Sequence, residues 1–229
     1  GLGAGASAEP ADSRTVEANL LNVVIGTALT LQGEEPLHGT AVALDGVAVG
    51  LLGSSGAGKS SLAAHLLRRG GELVTDDMLR LVFVGGAVGA LPGPYRLKLL
   101  DETAGRYFPQ APADGCFNAV SGKMMIRPRA ADRRGPGALP LAALFFLDDL
   151  PGMAPAEEVG SLALFGLDRI RVLLASSMDD RNASPARLSR QMAFASRLSS
   201  SVPLYALRYP RRFDVLDRVA TEIERTLGR

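Results

Sequence analysis

The chain is 229 residues long, 47% hydrophobic and nearly charge-balanced, with a formal net charge of +1. That length suits a single domain or a modest pair of domains, and the weak net charge gives no electrostatic case for a nucleic-acid surface. A single cysteine, Cys116, excludes an intrachain disulfide, and with only His38 and His65 beside it a structural zinc site lacks ligands.

No apolar run approaches the roughly 18 residues of a membrane span, so the expectation is a soluble cytoplasmic protein with no membrane partner. Gly1 to about Ser13 is rich in Gly, Ala, Ser and Pro, lacks an initiator Met and has no apolar core of the secretory type. Residues 1–18 are therefore expected to form a flexible tail ahead of one domain over 19–229. Leu20 to Leu31 mixes apolar and polar residues and reads as one or two strands. Thr40 to Val49 reads as a hairpin, because Asp45-Gly46 between apolar runs suits a type I′ turn, which needs positive φ at both positions.

The second strand of that hairpin runs into Gly53-Ser54-Ser55-Gly56-Ala57-Gly58-Lys59-Ser60, which fits G-x-x-x-x-G-K-[ST]. Glycines let the backbone curl until several N–H groups point into one concavity, where an anion replaces the missing acceptors. A helix from about Lys59 to Arg69, stopped by Gly70-Gly71, adds the positive end of its dipole. In this motif Lys59 reaches the outer phosphates and the Ser60 hydroxyl faces Mg²⁺; Ser61 follows as part of the same nucleotide-binding turn. ATP and Mg²⁺ are the expected cofactors.

Glu72 to Thr75 reads as a strand ending in Asp76-Asp77. A strand after such a helix runs parallel to the strand feeding the loop, so both carboxylates are expected near the phosphates. Leu79 to Leu91 reads as a hairpin turning at Gly85-Gly86. Leu91 to Leu99 is expected to be a constrained loop presenting Arg96 and Lys98. Asp101 to Phe108 reads as a helix, Pro109 to Gly122 as a loop, and Lys123 to Arg127 as a strand. The four arginines between Arg127 and Arg134 read first as a surface loop, and second as a contact for an acidic or phosphorylated partner.

Leu139 to Asp149 is an apolar run ending in Asp148-Asp149, the form of a Walker B strand whose carboxylate holds Mg²⁺. Pro140 at its head suggests a sheet edge. Ser161 to Ala175 reads as a helix. Ser184-Pro185 is an N-cap with proline at the first helical position, opening a helix to about Leu198. On it Leu188, Met192 and Ala195 form an apolar stripe, with Arg187, Arg190 and Arg197 on a solvated face. Val202 to Arg208 reads as a strand and Phe213 to Leu227 as an amphipathic helix.

Leu37-His38-Gly39, the Asp45-Gly46 turn, the Gly53–Ser60 loop, Arg69-Gly70 and Val74-Thr75-Asp76-Asp77 resemble, in order and spacing, the catalytic domain of HPr kinase/phosphorylase. The resemblance covers about forty residues closely. It implies an α/β, P-loop-containing fold of the type shared with phosphoenolpyruvate carboxykinase, a mixed sheet flanked by helices. It also implies transfer of the ATP γ-phosphoryl group to a serine of a protein or peptide. Asp76 would then accept the serine proton, with Asp77 beside it for metal or orientation, His38 near the reacting phosphate and Ser60 on Mg²⁺. Arg96 would stand in for the family's arginine beyond the aspartates.

Two departures bear on that expectation. The family's Glu after Lys-Ser is Ser61 here, which puts phosphorolysis and a second metal in doubt. Only a short stretch precedes His38, in the manner of the kinases of lasso-peptide gene clusters, which modify a precursor peptide. The competing readings are an ATPase or nucleotide switch with Asp148 as its Walker B carboxylate, a small-molecule kinase, and a non-catalytic nucleotide-binding module. A homo-oligomer stays open.

Overall fold

A computed structural model describes residues 23–93, 96–110, 116–118, 122–128, 137–178 and 184–229. The tail expected over residues 1–18 and most of the arginine-rich loop lie outside the described residues. The fold is mixed α/β. It begins with helix α1 (Ile25–Leu31) where strands were expected; seven residues are too few to separate a helical from an alternating period. The hairpin forms as its turn demands, β1 (Gly39–Leu44) pairing with β2 (Val47–Leu52) across Asp45 at φ 46° and Gly46 at φ 83°. Helix α2 (Lys59–Arg68) and strand β3 (Glu72–Thr75) follow, then the hairpin of β4 (Arg80–Val84) and β5 (Ala87–Leu91).

Leu97–Leu99 is strand β6, not loop, so Lys98 is held by a ladder. Helix α3 (Asp101–Tyr107) precedes β7 (Cys116–Asn118), a strand inside the expected 109–122 loop, and β8 (Lys123–Ile126). These three strands make a small sheet in the order β6-β8-β7. Next come β9 (Leu139–Phe146) and β10 (Gly160–Ala163), the latter inside the segment read as helix, which starts only at α4 (Gly166–Ala175). Helix α5 (Pro185–Ser201) is capped by Ser184, whose hydroxyl accepts from the Arg187 amide. Strand β11 (Leu204–Arg208), a 3₁₀ turn at Phe213–Val215 and helix α6 (Leu216–Thr226) complete the chain. No helix among the described residues is long and apolar enough to cross a membrane.

The main sheet runs β10-β11-β9-β2-β1-β3, with β5 joining through β9 and β4 through β5. β9 is therefore interior, and Pro140 does not mark an edge. The proline lies ahead of the parallel ladder, which begins at Leu141, and pairs instead with Gly89 of β5. β2, β9 and β11 are mutually parallel, and β3 shares their direction through two antiparallel steps across β1.

Both faces of the sheet are covered. On β2, Val49 and Leu51 face the core built with Leu62 and Leu66 of α2 and Val219 and Ile223 of α6. Ala48 and Leu52 face the opposite core, with Val172 of α4 and Leu198 of α5. β9 changes parity on the way: Leu141 faces the second core, while Ala143 and Phe145 face the first. The cause is a β-bulge, since Ala48 pairs with Leu141 but Val49 with Ala143, leaving Ala142 extra.

Helix α5 departs from its expected faces. Leu188 and Met192 are half exposed, while Arg187 is buried at 1% exposure and forms a 3.5 Å ion pair with Glu35. The arginine is there because Glu35 is buried too, and an unpaired buried charge is expensive.

Candidate phosphate-binding site

The loop between β2 and α2 curls because its glycines adopt φ 143° at Gly53, 91° at Gly56 and 93° at Gly58. Ala57 turns its methyl into the core and contributes only backbone. Lys59 is buried, and its ammonium uses all three donors: to the Gly53 carbonyl at 2.7 Å, the Ser54 carbonyl at 2.8 Å and His38 Nε2 at 3.1 Å. Burial, first of all, holds the Lys59 pKa below its ordinary value. Since an ammonium can only donate, His38 Nε2 accepts and Nδ1 carries the proton. That proton points at the Asp77 carbonyl, 3.2 Å away. Burial and then the Lys59 charge lower the His38 pKa, so the ring is neutral at neutral pH.

The two aspartates at the end of β3 have different surroundings. Asp76 is buried and acts as an acceptor on both oxygens. Thr40 Oγ1 donates at 2.6 Å, the Ser60 hydroxyl at 3.0 and 3.3 Å, and the Lys98 amide at 2.9 Å. Burial, then the neighbouring Asp77 charge, push the Asp76 carboxyl up to about 6. Asp77 has a left-handed backbone, φ 66°, uncommon outside glycine and frequent where a side chain is aimed for function. Its carboxylate is 2.6 Å from Lys98 Nζ.

His38, Lys59, Ser60 and Asp77 line one cavity over the loop, together with Lys98 and Lys123. Asp76 stands behind Ser60. Ser61 lines the same cavity, but its hydroxyl lies 3.4 Å from Thr103 of α3. Asp148 binds the start of the loop, accepting from the Ser54 amide at 2.6 Å and the Ser54 hydroxyl at 3.0 Å. The carboxylate facing Ser60 is thus Asp76. Arg96 lines a second cavity of about 240 Å³ that also holds Ile25, Leu29, Met78 and Pro92. Asp77 and Lys98 line both cavities and form the wall between them.

Three participants escape motif reasoning. Thr40 is visible in sequence only as a strand residue; its partner is set by the pairing of β1 with β3. Lys98 stands out in sequence by its charge alone, and its pairing with Asp77 needs β6 to be a strand. Lys123 carries no signal beyond its place at the head of β8.

The hard oxygens of Ser60 and Asp76, 3.0 Å apart beside the loop amides and Lys59, are of the kind that could hold a divalent cation. Residues 29–93, which hold the loop, His38 and both aspartates, match the family described as HPr Serine kinase C-terminal domain. Over that segment the chain is similar to HPr serine kinases. It is 41% identical over 56 residues to an HPr kinase/phosphorylase of Clostridium beijerinckii, a match spanning 24% of this chain and 18% of that protein. A second HPr kinase/phosphorylase, from Clostridium botulinum, is 38% identical over 66 residues, 28% of this chain and 22% of the relative. The matched segment thus spans about a fifth of these relatives. A solved Hpr(Ser) kinase/phosphatase from Coxiella burnetii overlays 83% of this chain and 89% of its own, with 11% identity and a TM-score of 0.43. Lys98, Lys123 and Asp148 lie beyond the HPr-kinase-like stretch.

Proposed function

We propose that this chain transfers the γ-phosphoryl group of ATP to a serine hydroxyl of a protein or peptide in the cytoplasm. The observation that carries the reading is the Asp77–Lys98 pair, shared between the cavity over the phosphate loop and the second cavity beside it. A donor in the first and an acceptor in the second would meet at one carboxylate. The second cavity, about 240 Å³, sets Ile25, Leu29, Met78 and Pro92 against the charged Asp76, Asp77, Arg80, Arg96 and Lys98, leaving room for an acceptor serine and a neighbouring side chain.

Phosphoryl transfer asks for alignment and charge compensation. The loop amides hold the β- and γ-phosphates, and Lys59, whose three donors go to Gly53, Ser54 and His38, lends its positive charge beside them. Ser60 and Asp76 would hold Mg²⁺, which when bound would offset the negative charge of the phosphates. We assign the proton to Asp77, the reverse of the division implied by the family resemblance, because the Asp76 oxygens already accept from Thr40, Ser60 and Lys98. The serine O–H gives its proton to the Asp77 carboxylate as its oxygen bonds to the γ-phosphorus. The bond to the β–γ bridging oxygen breaks and ADP leaves. Neutral His38 fixes the Lys59 ammonium at that point, and Lys98 offsets the growing charge.

The test is labelled ATP and Mg²⁺ with candidate acceptors, HPr-type proteins and precursor peptides among them, followed by mass spectrometry of the phosphosite. Asp77→Asn is expected to keep ATP binding and lose about 10²–10⁴-fold in transfer. Acceptor-independent hydrolysis, abolished by Asp148→Asn and indifferent to Asp77→Asn, would establish the nucleotide-switch reading instead.

A further inference from the structure

A further cavity, of about 400 Å³, opens between β4, α5 and residues 33–36, and no residue of the phosphate loop lines it. Arg80 lines both this cavity and the recess beside Asp77, so the two adjoin through one side chain.

Four guanidiniums stand in and behind its walls against two carboxylates. Arg80 grips Glu34 through hydrogen bonds of 2.9 and 2.8 Å. Arg187 and Arg190 share Glu35, each at 3.5 Å. Arg197 is exposed and pairs with no carboxylate among the described residues; it lies over the Phe83 ring, 4.0 Å from the centroid. Phe194 meets that ring edge-on at 6.0 Å. The wall is therefore positive and partly aromatic, in a chain whose net charge is only +1.

The cavity also runs along an open strand edge. Leu79 exchanges both backbone hydrogen bonds with Leu37, each 2.9 Å, and the pairing goes no further, since residues 33–36 arrive from a turn at Gly33, φ 92°. Beyond Leu79, β4 pairs with β5 alone among the described residues. Hydrogen-bonding direction alternates along an antiparallel strand, so Leu81 and Phe83 turn N–H and C=O to the side Leu79 uses, the side of residues 33–36. An edge of this kind accepts an extended chain as an added strand, and flanking pockets choose its side chains.

We infer that β4 and this cavity form a docking groove for the acceptor polypeptide, binding in extended form a stretch with an acidic residue next to an apolar one, to one side of the phosphorylated serine. This rests on the proposed kinase activity and names the acceptor it selects. The serine enters the recess beside Asp77, and its chain continues past Arg80 to pair with Leu81 and Phe83. There its carboxylate meets Arg197 and its apolar side chain lies against Phe194. The groove contributes binding and selectivity and stays outside the bond exchange.

The full chain with labelled ATP, Mg²⁺ and a positional-scanning library of serine peptides gives the test. Wild type is expected to select Asp or Glu at one fixed distance from the serine. Arg197→Glu is expected to lower kcat/KM for the selected peptide about fivefold through KM, with kcat unchanged, and to prefer the same peptide carrying Lys in that place. A damaged fold would not exchange one preference for the other. Hydrogen exchange is expected to slow at the Leu81 and Phe83 amides when the selected peptide binds. No acidic preference, a preference that Arg197→Glu leaves unaltered, or free exchange at both amides would overturn the inference and leave the kinase activity standing. Equal slowing by inorganic phosphate alone would assign the cavity to a small anion and overturn it as well. Wild type that phosphorylates an HPr-type protein but no peptide ends this inference alone; wild type that phosphorylates neither ends the kinase reading with it.

Discussion

Asp76 receives three different donors with both oxygens while sitting out of water, and its carboxyl is raised to about 6 from an ordinary 3.8. The sign follows from linkage. The folded state holds this proton more tightly than the unfolded chain does. Ionisation therefore subtracts stability as pH rises through the window from 3.8 to about 6, and nothing further is lost above it. The melting temperature of wild type relative to Asp76→Asn is expected to be highest near pH 4 and to fall until about pH 6, read by metal-free calorimetry at a pH series. Mg²⁺ favours the carboxylate, so its addition should reduce that fall. The same substitution is expected to weaken Mg²⁺-dependent ATP binding, while Asp148→Asn, whose carboxylate serves Ser54, leaves it largely intact. Lys59 and Ser60 were legible in sequence because the loop's spacing is local backbone geometry. Thr40 and Lys123 were not, because each reaches the site through a pairing between distant strands or sheets, which no short motif encodes.

Between elements, the clearest energetic statement concerns Glu35 and helix α5. Both Glu35 oxygens are buried, and Arg187 and Arg190 each approach at 3.5 Å, too far for hydrogen bonds. Burial raises the Glu35 pKa despite the two arginines. Removing the buried partner by Arg187→Met is expected to cost about 3 kcal/mol in urea unfolding, because the buried carboxylate keeps only the half-exposed Arg190. Arg190→Ala, whose side chain is 42% exposed, should cost about 1 kcal/mol or less. Gly50 offers a second test: a Cβ there would stand 2.4 Å from Leu144 Cδ2, so Gly50→Ala should destabilise by about 1–3 kcal/mol. The hairpins were readable because Asp45-Gly46 and Gly85-Gly86 declare their turns. β10 was not: as the last strand of the sheet it buries no clean face, so Ser161-Leu162-Ala163 carries no alternation and blends into the following helix. Arg187 misleads for a related reason, since helical spacing shows which residues share a face but not that a buried glutamate waits opposite.

For the whole molecule, direction matters more than composition. β2, β3, β9 and β11 all point the same way, and their carboxyl ends deliver the phosphate loop, Asp76-Asp77, Asp148 and Tyr209 to one edge. Nucleotide at about a hundred times its dissociation constant should stabilise the fold by about 2.7 kcal/mol. Hydrogen exchange should slow at those four strand ends and stay unaltered over α4 and α5, which cover the sheet elsewhere. Deletion of Ala142 alone would leave Leu141 beside Ala48 and Ala143 beside Val49 in a regular ladder, so Phe145 keeps its side of the sheet and Asp148 its reach to Ser54. One small alanine, touching nothing that reacts, can thus be spared and melting should stay cooperative, whereas losing Ala142 and Ala143 together would turn Phe145 to the wrong side and abolish it.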